Sequence, residues 1–229
     1  MITQVEQTVE ELARSPLLPF VRRRIDALLD DEHQRREAFH QAIAAGDPRY
    51  DGRKVEFING EVREAMPVQM QHADIGQYLL RLLQTFVELR HLGKVGYEKL
   101  MISLTRNDYE PDICFWRAEK ASAFVPHQAR FPAPDFVVEI LSPSTESIDR
   151  DIKFKDYAAH GIAEYWIVDP DRQTVEQYIL HGDEYALAAT VGEGTLTSTA
   201  VSGFQVPLTA LFDAAANLQA LQNILKVQS

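Results

Sequence analysis

The first 45 residues carry apolar side chains at the three- and four-residue spacing of helices, set among acidic and basic residues. Pro16 and Pro19 divide this pattern into two sets and predict a break between two helices. A different pattern begins after this segment. We therefore predict a helical N-terminal extension over residues 1–45, followed by a domain over residues 46–229.

The hydrophobic period changes at the start of that domain. Residues 54–66 form two short alternating runs around Asn59-Gly60, the dipeptide that favours a tight β-hairpin. From His72 to Arg90 the apolar residues instead line one face of a helix, which predicts that this helix packs on the core. Gly93 is the expected residue at its C-terminal end.

Short strands and helices alternate through the rest of the chain. Residues 135–141 form an almost continuous apolar run, typical of a strand that is buried on both faces. The remaining predicted elements are strands at 95–97, 101–104, 113–116 and 165–168, a turn at 106–108, a helix from 147 to 160, a hairpin from 174–180 to 185–190, and an amphipathic tail helix over 208–225. This order predicts an α/β or α+β domain with a mixed sheet and helices packed on it.

Composition narrows the class of protein. The chain has 229 residues, 45% of them hydrophobic and 25% charged, which is typical of a globular protein and not of a disordered one. Its net charge of −11 disfavours a protein that coats nucleic acid through a basic surface, but it does not exclude a local site. The lone Cys114 excludes an internal disulfide, and neither a membrane-spanning run nor a secretory signal is apparent. We therefore expect a cytoplasmic protein with no membrane partner.

Glu139 is an acidic residue in an otherwise apolar strand. Its neighbours from Phe136 to Leu141 are all apolar. A buried carboxylate is costly unless it is paired, hydrogen-bonded or bound to metal. Glu139 is therefore either a carboxylate that pairs with an Arg or Lys, or part of a metal or catalytic site.

Asp112 is a second acid beside an apolar strand. It follows Pro111 and precedes the apolar run from Ile113 to Trp116. Two carboxylates on neighbouring strands can share a hard divalent cation, while water and substrate phosphate complete its coordination. Taken alone, a Pro-Asp pair is also a common turn, so this alternative stays open.

Lys153 is the candidate cationic residue. A lysine near such a cation can orient the attacking water and offset charge on phosphate. The alternative is a surface lysine paired with a nearby aspartate on its own helix. For Lys155, two residues on, the sequence favours that surface role.

These residues lie within a longer pattern. Pro111-Asp112 is followed by Val138-Glu139-Ile140-Leu141-Ser142-Pro143-Ser144-Thr145, then by Asp149, Lys153, Tyr157 and Gly161-Ile162, and finally by Glu164-Tyr165-Trp166-Ile167-Val168-Asp169-Pro170. Over roughly residues 50–212 the chain resembles the Uma family of restriction endonucleases, within the PD-(D/E)XK superfamily. The upstream hairpin resembles the opening hairpin of that family, and His72 resembles the start of its first long helix.

The resemblance implies an α/β fold with a restriction-endonuclease-like core, in which helices flank a central mixed sheet. It implies that Asp112 and Glu139 are catalytic carboxylates that bind Mg²⁺ or Mn²⁺, and that Glu61 is an additional acidic residue. The lysine that this superfamily carries two positions after the second acid is absent, because Leu141 stands there. In the Uma pattern the lysine lies on the following helix, where this chain has Lys153.

Other candidate residues have simpler explanations. Asp135 lies about 13 Å along the strand from Glu139, at 3.3 Å per residue, which is too far to share a metal. Ser142 and Ser144 lack the surroundings of a nucleophilic serine, so a turn or capping role is expected. The seven histidines form no pair at i and i+4 and indicate no zinc site.

The sequence therefore predicts a metal-dependent endonuclease that hydrolyses phosphodiester bonds of nucleic acid, with DNA as the expected substrate. A homodimer would be the simplest way to cut both strands of a duplex. The alternative is a catalytically inactive protein on a nuclease fold, acting as an interaction or regulatory module, and the net charge of −11 favours it.

Overall fold

The computed structural model describes residues 2–226, so residue 1 and residues 227–229 at the ends of the predicted domains lie outside it. The helices are α1 (Ile2–Ala13), α2 (Leu18–Ala44), α3 (Met70–Leu89), α4 (Ala118–Ala121), α5 (Phe154–Ala159) and α6 (Ala214–Lys226). The strands are β1 (Val55–Ile58), β2 (Glu61–Glu64), β3 (Gly93–Tyr97), β4 (Met101–Ser103), β5 (Asp108–Tyr109), β6 (Ile113–Arg117), β7 (Arg130–Phe131), β8 (Phe136–Ile140), β9 (Glu164–Asp169), β10 (Thr174–His181), β11 (Glu184–Val191), β12 (Thr195–Thr197) and β13 (Gln205–Pro207).

The chain divides into two compact units. The first contains the described residues up to Glu64 together with Thr105–Tyr109, and the second contains Ala65–Leu104 and the described residues from Glu110 onward. Both predicted N-terminal helices are present, and Pro19 lies in the first turn of α2. A proline is tolerated there because its missing N–H would have no partner within the helix.

The predicted Asn-Gly hairpin is present in the first unit. Strands β1 and β2 pair antiparallel, with Ile58 opposite Glu61 across the turn. Asn59 and Gly60 have φ of 50° and 84°, which matches the left-handed conformation that this turn requires. The prediction of a turn through Asp108 is wrong, because this residue lies in β5 and pairs with Phe57. Its buried carboxylate accepts hydrogen bonds from Arg36, which offset its charge.

A mixed sheet forms the centre of the second unit and confirms the predicted fold class. Its strand order is β11-β10-β9-β8-β6-β3. Strand β8 runs parallel to β9 and antiparallel to β6. Helix α3 packs against one face of this sheet through a buried row, as its spacing predicts; the row contains Ile75, Leu79, Leu82, Leu83 and Phe86.

The end of α3 differs from the prediction. His91, with φ of 53°, adopts the left-handed conformation after the helix, and Gly93 begins β3. A Cβ atom on Gly93 would collide with the carbonyl oxygen of Trp116 on the neighbouring strand. This glycine is therefore required by the close approach of two strands and does not cap the helix.

The predicted helix over 147–160 is regular only in its second half. Residues Ile148–Lys153 form a π-helical turn, which continues as α5. Two charged residues of this turn, Asp149 and Lys153, are buried.

The predicted tail helix is interrupted. A 3₁₀ turn at Leu208–Leu211 precedes α6, and Asp213 accepts a hydrogen bond from the backbone N–H of Ala216 at the start of that helix. The sequence pattern also missed the short elements α4, β7, β12 and β13. In the part of the chain that the structure describes, no helix has the length and apolar character needed to cross a membrane.

Candidate active site

The two acids that the sequence indicated, Asp112 and Glu139, lie where two neighbouring inner strands of the central sheet, β6 and β8, begin and end. Ile113 on β6 is the partner of Val138 on β8, so the antiparallel register brings Asp112 opposite Glu139. Opposite residues on antiparallel strands point to the same face. The backbone N–H of Ile140 also donates a hydrogen bond of 2.8 Å to Asp112 Oδ2, which links the aspartate directly to the neighbouring strand.

Glu139 is held by two donors. All five residues of β8 are buried, and Glu139 itself is 2% exposed. Its Oε1 atom accepts hydrogen bonds from Lys153 Nζ at 3.0 Å and from the Tyr157 hydroxyl at 2.8 Å. The buried carboxylate is thus compensated by a cation and a neutral donor, as burial of a charge requires.

Lys153 lies between two acidic side chains. Its Nζ atom is 3.0 Å from Glu139 Oε1 and 3.2 Å from Asp149 Oδ1, and its side chain is 3% exposed. The alternative that Lys153 pairs with a nearby aspartate is therefore correct for Asp149, but the residue is not on the surface. Lys155, in contrast, is exposed and pairs with Asp151, as expected.

Asp149, Lys153 and Tyr157 follow one another at intervals of four residues, and all three are buried. The π-helical turn and α5 therefore present one polar row to the end of β8. Tyr165 on β9 contacts the first residue of this row: its hydroxyl donates a hydrogen bond of 3.2 Å to the carbonyl oxygen of Asp149. Burial, reinforced by nearby Asp149 and Glu139, raises the pKa of Tyr165 well above its ordinary value, so this phenol stays neutral.

His72 also belongs to the site, although the sequence did not identify it as a functional residue. It lies in the first turn of α3, is buried, and places Nε2 3.2 Å from Asp112 Oδ2. The only sequence signal for it was its resemblance to the start of the first long helix of the Uma family. Asp149 and Tyr157 were likewise missed, although their four-residue spacing to Lys153 is visible in the sequence.

A pocket of about 300 Å³ adjoins these residues. His72 and Leu141 line it, together with Gln71, Ser142 and Arg172. Leu141, two residues after Glu139, thus borders the pocket with an apolar side chain. The pocket gives a ligand space to approach His72, whose imidazole contacts Asp112.

The remaining candidates have contacts of their own. Glu61 belongs to the first unit, at the start of β2, with its carboxylate 3.5 Å from Arg63; its catalytic role stays a prediction. Asp135 accepts a hydrogen bond from the backbone N–H of Arg117. Ser142 and Ser144 share a hydrogen bond within the loop after β8, which suits the expected turn role.

The fold of the chain resembles that of a crystal structure described as "a putative nuclease belonging to DUF820" from Anabaena variabilis ATCC 29413, with a TM-score of 0.59 and 20% sequence identity. The similarity covers 71% of this chain and 90% of that one. At this level of identity the likeness shows the fold.

Residues 36–210 match the family described as "Uma2: Putative restriction endonuclease", and the chain belongs to this family. The match confirms the resemblance found in the sequence, and a nuclease family implies a nucleic acid substrate. An uncharacterized protein of Synechocystis sp., slr1290, is 27% identical over 180 residues, which represent 75% of this chain and 82% of that protein.

Proposed function

We propose that this protein is a metal-dependent endonuclease that hydrolyses phosphodiester bonds, with DNA as its expected substrate. The observation that carries the proposal is the buried Lys153–Glu139 ion pair at the sheet edge where Asp112 lies opposite Glu139. A cation and two carboxylates at one place are the groups that phosphodiester hydrolysis needs.

The donor set at this edge suits a hard divalent cation. Mg²⁺ is commonly bound by one or two carboxylates together with water and substrate phosphate, without a complete protein cage. Asp112 and Glu139 are the proposed protein ligands. Among residues 2–226 no group of three or more His, Cys, Asp or Glu side chains could hold a metal, so water and substrate phosphate would have to complete the coordination. Bound Mg²⁺ or Mn²⁺ would supply positive charge at the phosphate and make a water molecule more acidic.

The chain's own residues have separate tasks in this proposal. Lys153 places its ammonium beside the reacting phosphate and stabilises the negative charge that develops as water attacks phosphorus and the P–O bond breaks. Tyr157 fixes Glu139, and the N–H of Ile140 fixes Asp112. Lys153, on the π-helical turn, supplies the positive charge that the superfamily carries at the position of Leu141.

A two-fold dimer would bring one such site to each strand of a duplex. Glu61 remains the proposed additional acid. The alternative function, a nuclease fold that binds partners without cleaving, agrees with the net charge of −11. The presence of Asp112, Glu139 and Lys153 together favours the enzyme.

The test is cleavage of supercoiled plasmid, single-stranded DNA and RNA with Mg²⁺, Mn²⁺ or EDTA. An Asp112→Asn/Glu139→Gln double variant, purified in parallel, serves as the control for contaminating nucleases. We expect metal-dependent cleavage by the wild type only. Equal cleavage by the double variant, or no cleavage of any substrate, would contradict the proposal. In the latter case, a melting temperature unchanged by Mg²⁺ would favour the inactive alternative.

A further inference from the structure

The first half of α2 exposes a row of large apolar side chains. Leu18, Ile25, Leu28 and Leu29 are 39–51% exposed, and their spacings of seven, three and one residues place them on one side of the helix. Val21 lies in the same row and is half-buried. We refer to Leu18, Val21, Ile25, Leu28 and Leu29 as the α2 stripe.

The second half of the same helix is packed within the first unit. Phe39 is buried and stacks on Phe57, with ring centroids 5.8 Å apart. Arg36 donates two hydrogen bonds to Asp108. The helix is thus anchored at its C-terminal half, while its N-terminal half presents the α2 stripe to solvent. A contiguous apolar face of this kind marks an interaction surface.

The charges around the α2 stripe indicate what covers it. Arg22–Arg24 directly precede the three stripe residues Ile25, Leu28 and Leu29, and Asp30 and Asp31 directly follow them. Arg24 and Asp31 are seven residues apart, so both lie on the same flank of the helix. When two copies of a helix pair antiparallel about a two-fold axis, equal flanks face each other. Arg24 of each copy then faces the partner's Asp31.

We propose that the α2 stripe pairs antiparallel with the α2 stripe of a second copy of this chain. Ile25, Leu28 and Leu29 lie near the centre of the pair, where they pack against the same three residues of the other copy. The opposite charges of Arg24 and Asp31, on either side of these three residues, select the antiparallel orientation. A basic nucleic acid arm or membrane helix would not carry Asp26, Asp30 and Asp31 among its arginines.

The expected dimer is weak. The α2 stripe covers about three helical turns, which is short compared with the area of a stable interface. Within its own helix, Asp31 lies 2.9 Å from Arg35. This exposed ion pair contributes little to stability, so Asp31 can instead contact Arg24 of the second copy.

The first experiment measures the mass of the full-length protein by sedimentation equilibrium over a range of concentrations, without nucleic acid. We expect a monomer–dimer equilibrium for the wild type and a shift to monomer for Ile25→Glu/Leu28→Glu. Leu218→Glu, at a residue of α6 that is 52% exposed, is the matched control and should leave the equilibrium unchanged. Circular dichroism verifies folding, and substitution of exposed residues should not disturb it.

The second experiment exchanges the charges. Arg24→Glu alone sets acid against acid, and Asp31→Lys alone sets base against base, so each variant should dimerise at least about tenfold more weakly. An equimolar mixture of the two restores opposite charges at both ends and should recover the affinity. A monomeric wild type, a dimer that requires added DNA, a dimer unaffected by Ile25→Glu/Leu28→Glu, or a mixture no better than its components would each overturn the proposal. Because the readout is mass, these outcomes do not depend on nuclease activity.

Discussion

Lys153 Nζ lies 3.0 Å from Glu139 Oε1, although the two residues belong to different elements and are fourteen positions apart. The π-helical turn after β8 brings the ammonium back to the strand end. Lys155, only two residues further on, is exposed and pairs with Asp151 instead. This contrast gives the proposed catalytic lysine a matched control in the same helical segment.

Lys153→Ala should reduce metal-dependent cleavage at least about 100-fold, because the positive charge at the reacting phosphate is lost. Lys155→Ala should leave cleavage within about twofold, because its ammonium is exposed. Rates of plasmid cleavage with Mg²⁺ measure both effects. Removal of Lys153 also takes the cation away from two buried acids, Glu139 and Asp149, at a cost of about 3–5 kcal/mol. Lys153→Gln, which keeps an N–H donor, therefore accompanies it. Normal cleavage by folded Lys153→Gln would contradict the role of the charge.

A second-site substitution tests whether the lysine can occupy the position usual for the superfamily. Leu141→Lys, introduced into Lys153→Ala, should restore part of the lost cleavage, because Leu141 follows Glu139 by two residues. Recovery is measured against Lys153→Ala alone. Leu141→Met in the same background controls for a change of side-chain shape and should restore nothing.

Asp112→Asn and Glu139→Gln should each abolish cleavage while leaving the protein folded. Each amide retains an oxygen that can accept the observed hydrogen bond, from the Ile140 N–H in one case and from Tyr157 in the other. Removal of either negative charge should also eliminate the rise in melting temperature that Mg²⁺ gives the wild type. An undiminished rise in both variants would show that the cation binds elsewhere.

His72→Ala should lower kcat with a smaller effect on KM, because His72 positions Asp112 through a 3.2 Å contact. His91→Ala is the control, since His91 is an exposed histidine after the same helix. A role in holding Asp112 also predicts a weaker Mg²⁺-induced rise in melting temperature. An unchanged rise together with unchanged kinetics would exclude this role.

Stability should depend on pH through Glu176. Arg150 on the π-helical turn donates two 2.9 Å hydrogen bonds to this carboxylate, and the guanidinium holds the pKa of Glu176 below its ordinary value. A lowered pKa stabilises the folded state above the unfolded pKa, and this contribution is lost as pH falls through the folded pKa. Glu176→Gln should therefore destabilise the protein by about 1–2 kcal/mol at pH 7.

The destabilisation by Glu176→Gln should shrink as the pH is lowered below about 4. In that range the Glu176 carboxyl becomes protonated, first in the unfolded protein and then in the folded protein. Urea unfolding at several pH values measures the difference. Glu193→Gln, in an exposed turn, should show no such dependence. A difference that stays constant down to pH 3 would rule out the ion pair as its source.

Gly93→Ala should severely destabilise the second unit, by about 3 kcal/mol or more, because the added Cβ collides with backbone of the neighbouring strand. Gly182→Ala is the comparison. Gly182 has φ of 68° and no atom within 4 Å of an added Cβ, so only backbone strain of about 1 kcal/mol is expected. Comparing the thermal unfolding of the two variants distinguishes the effect of a steric collision from that of backbone strain alone.

Local pattern in the sequence determined much of this protein. The Asn59-Gly60 hairpin, the buried row of α3 and the apolar strand around Glu139 are each encoded by neighbours within a few residues. For that reason period and turn chemistry suffice to predict them. The run from Val138 to Pro170 also indicated the family, because its polar residues lie in an apolar framework at the spacing of the family pattern.

The tertiary structure decided what local pattern leaves open. Helical spacing could not show that residues 148–153 form a π-helical turn, because the contacts of this turn, Arg150 with Glu176 and Lys153 with Glu139, join residues that are distant in the sequence. The role of Gly93 was hidden for the same reason, since it depends on how closely β3 approaches β6. His72 meets Asp112 only after the sheet and α3 have packed. Contacts between distant residues leave no periodic pattern in the sequence. The sequence therefore indicated Asp112, Glu139 and Lys153 as candidates, but only the fold showed that they lie beside His72, Asp149 and Tyr157.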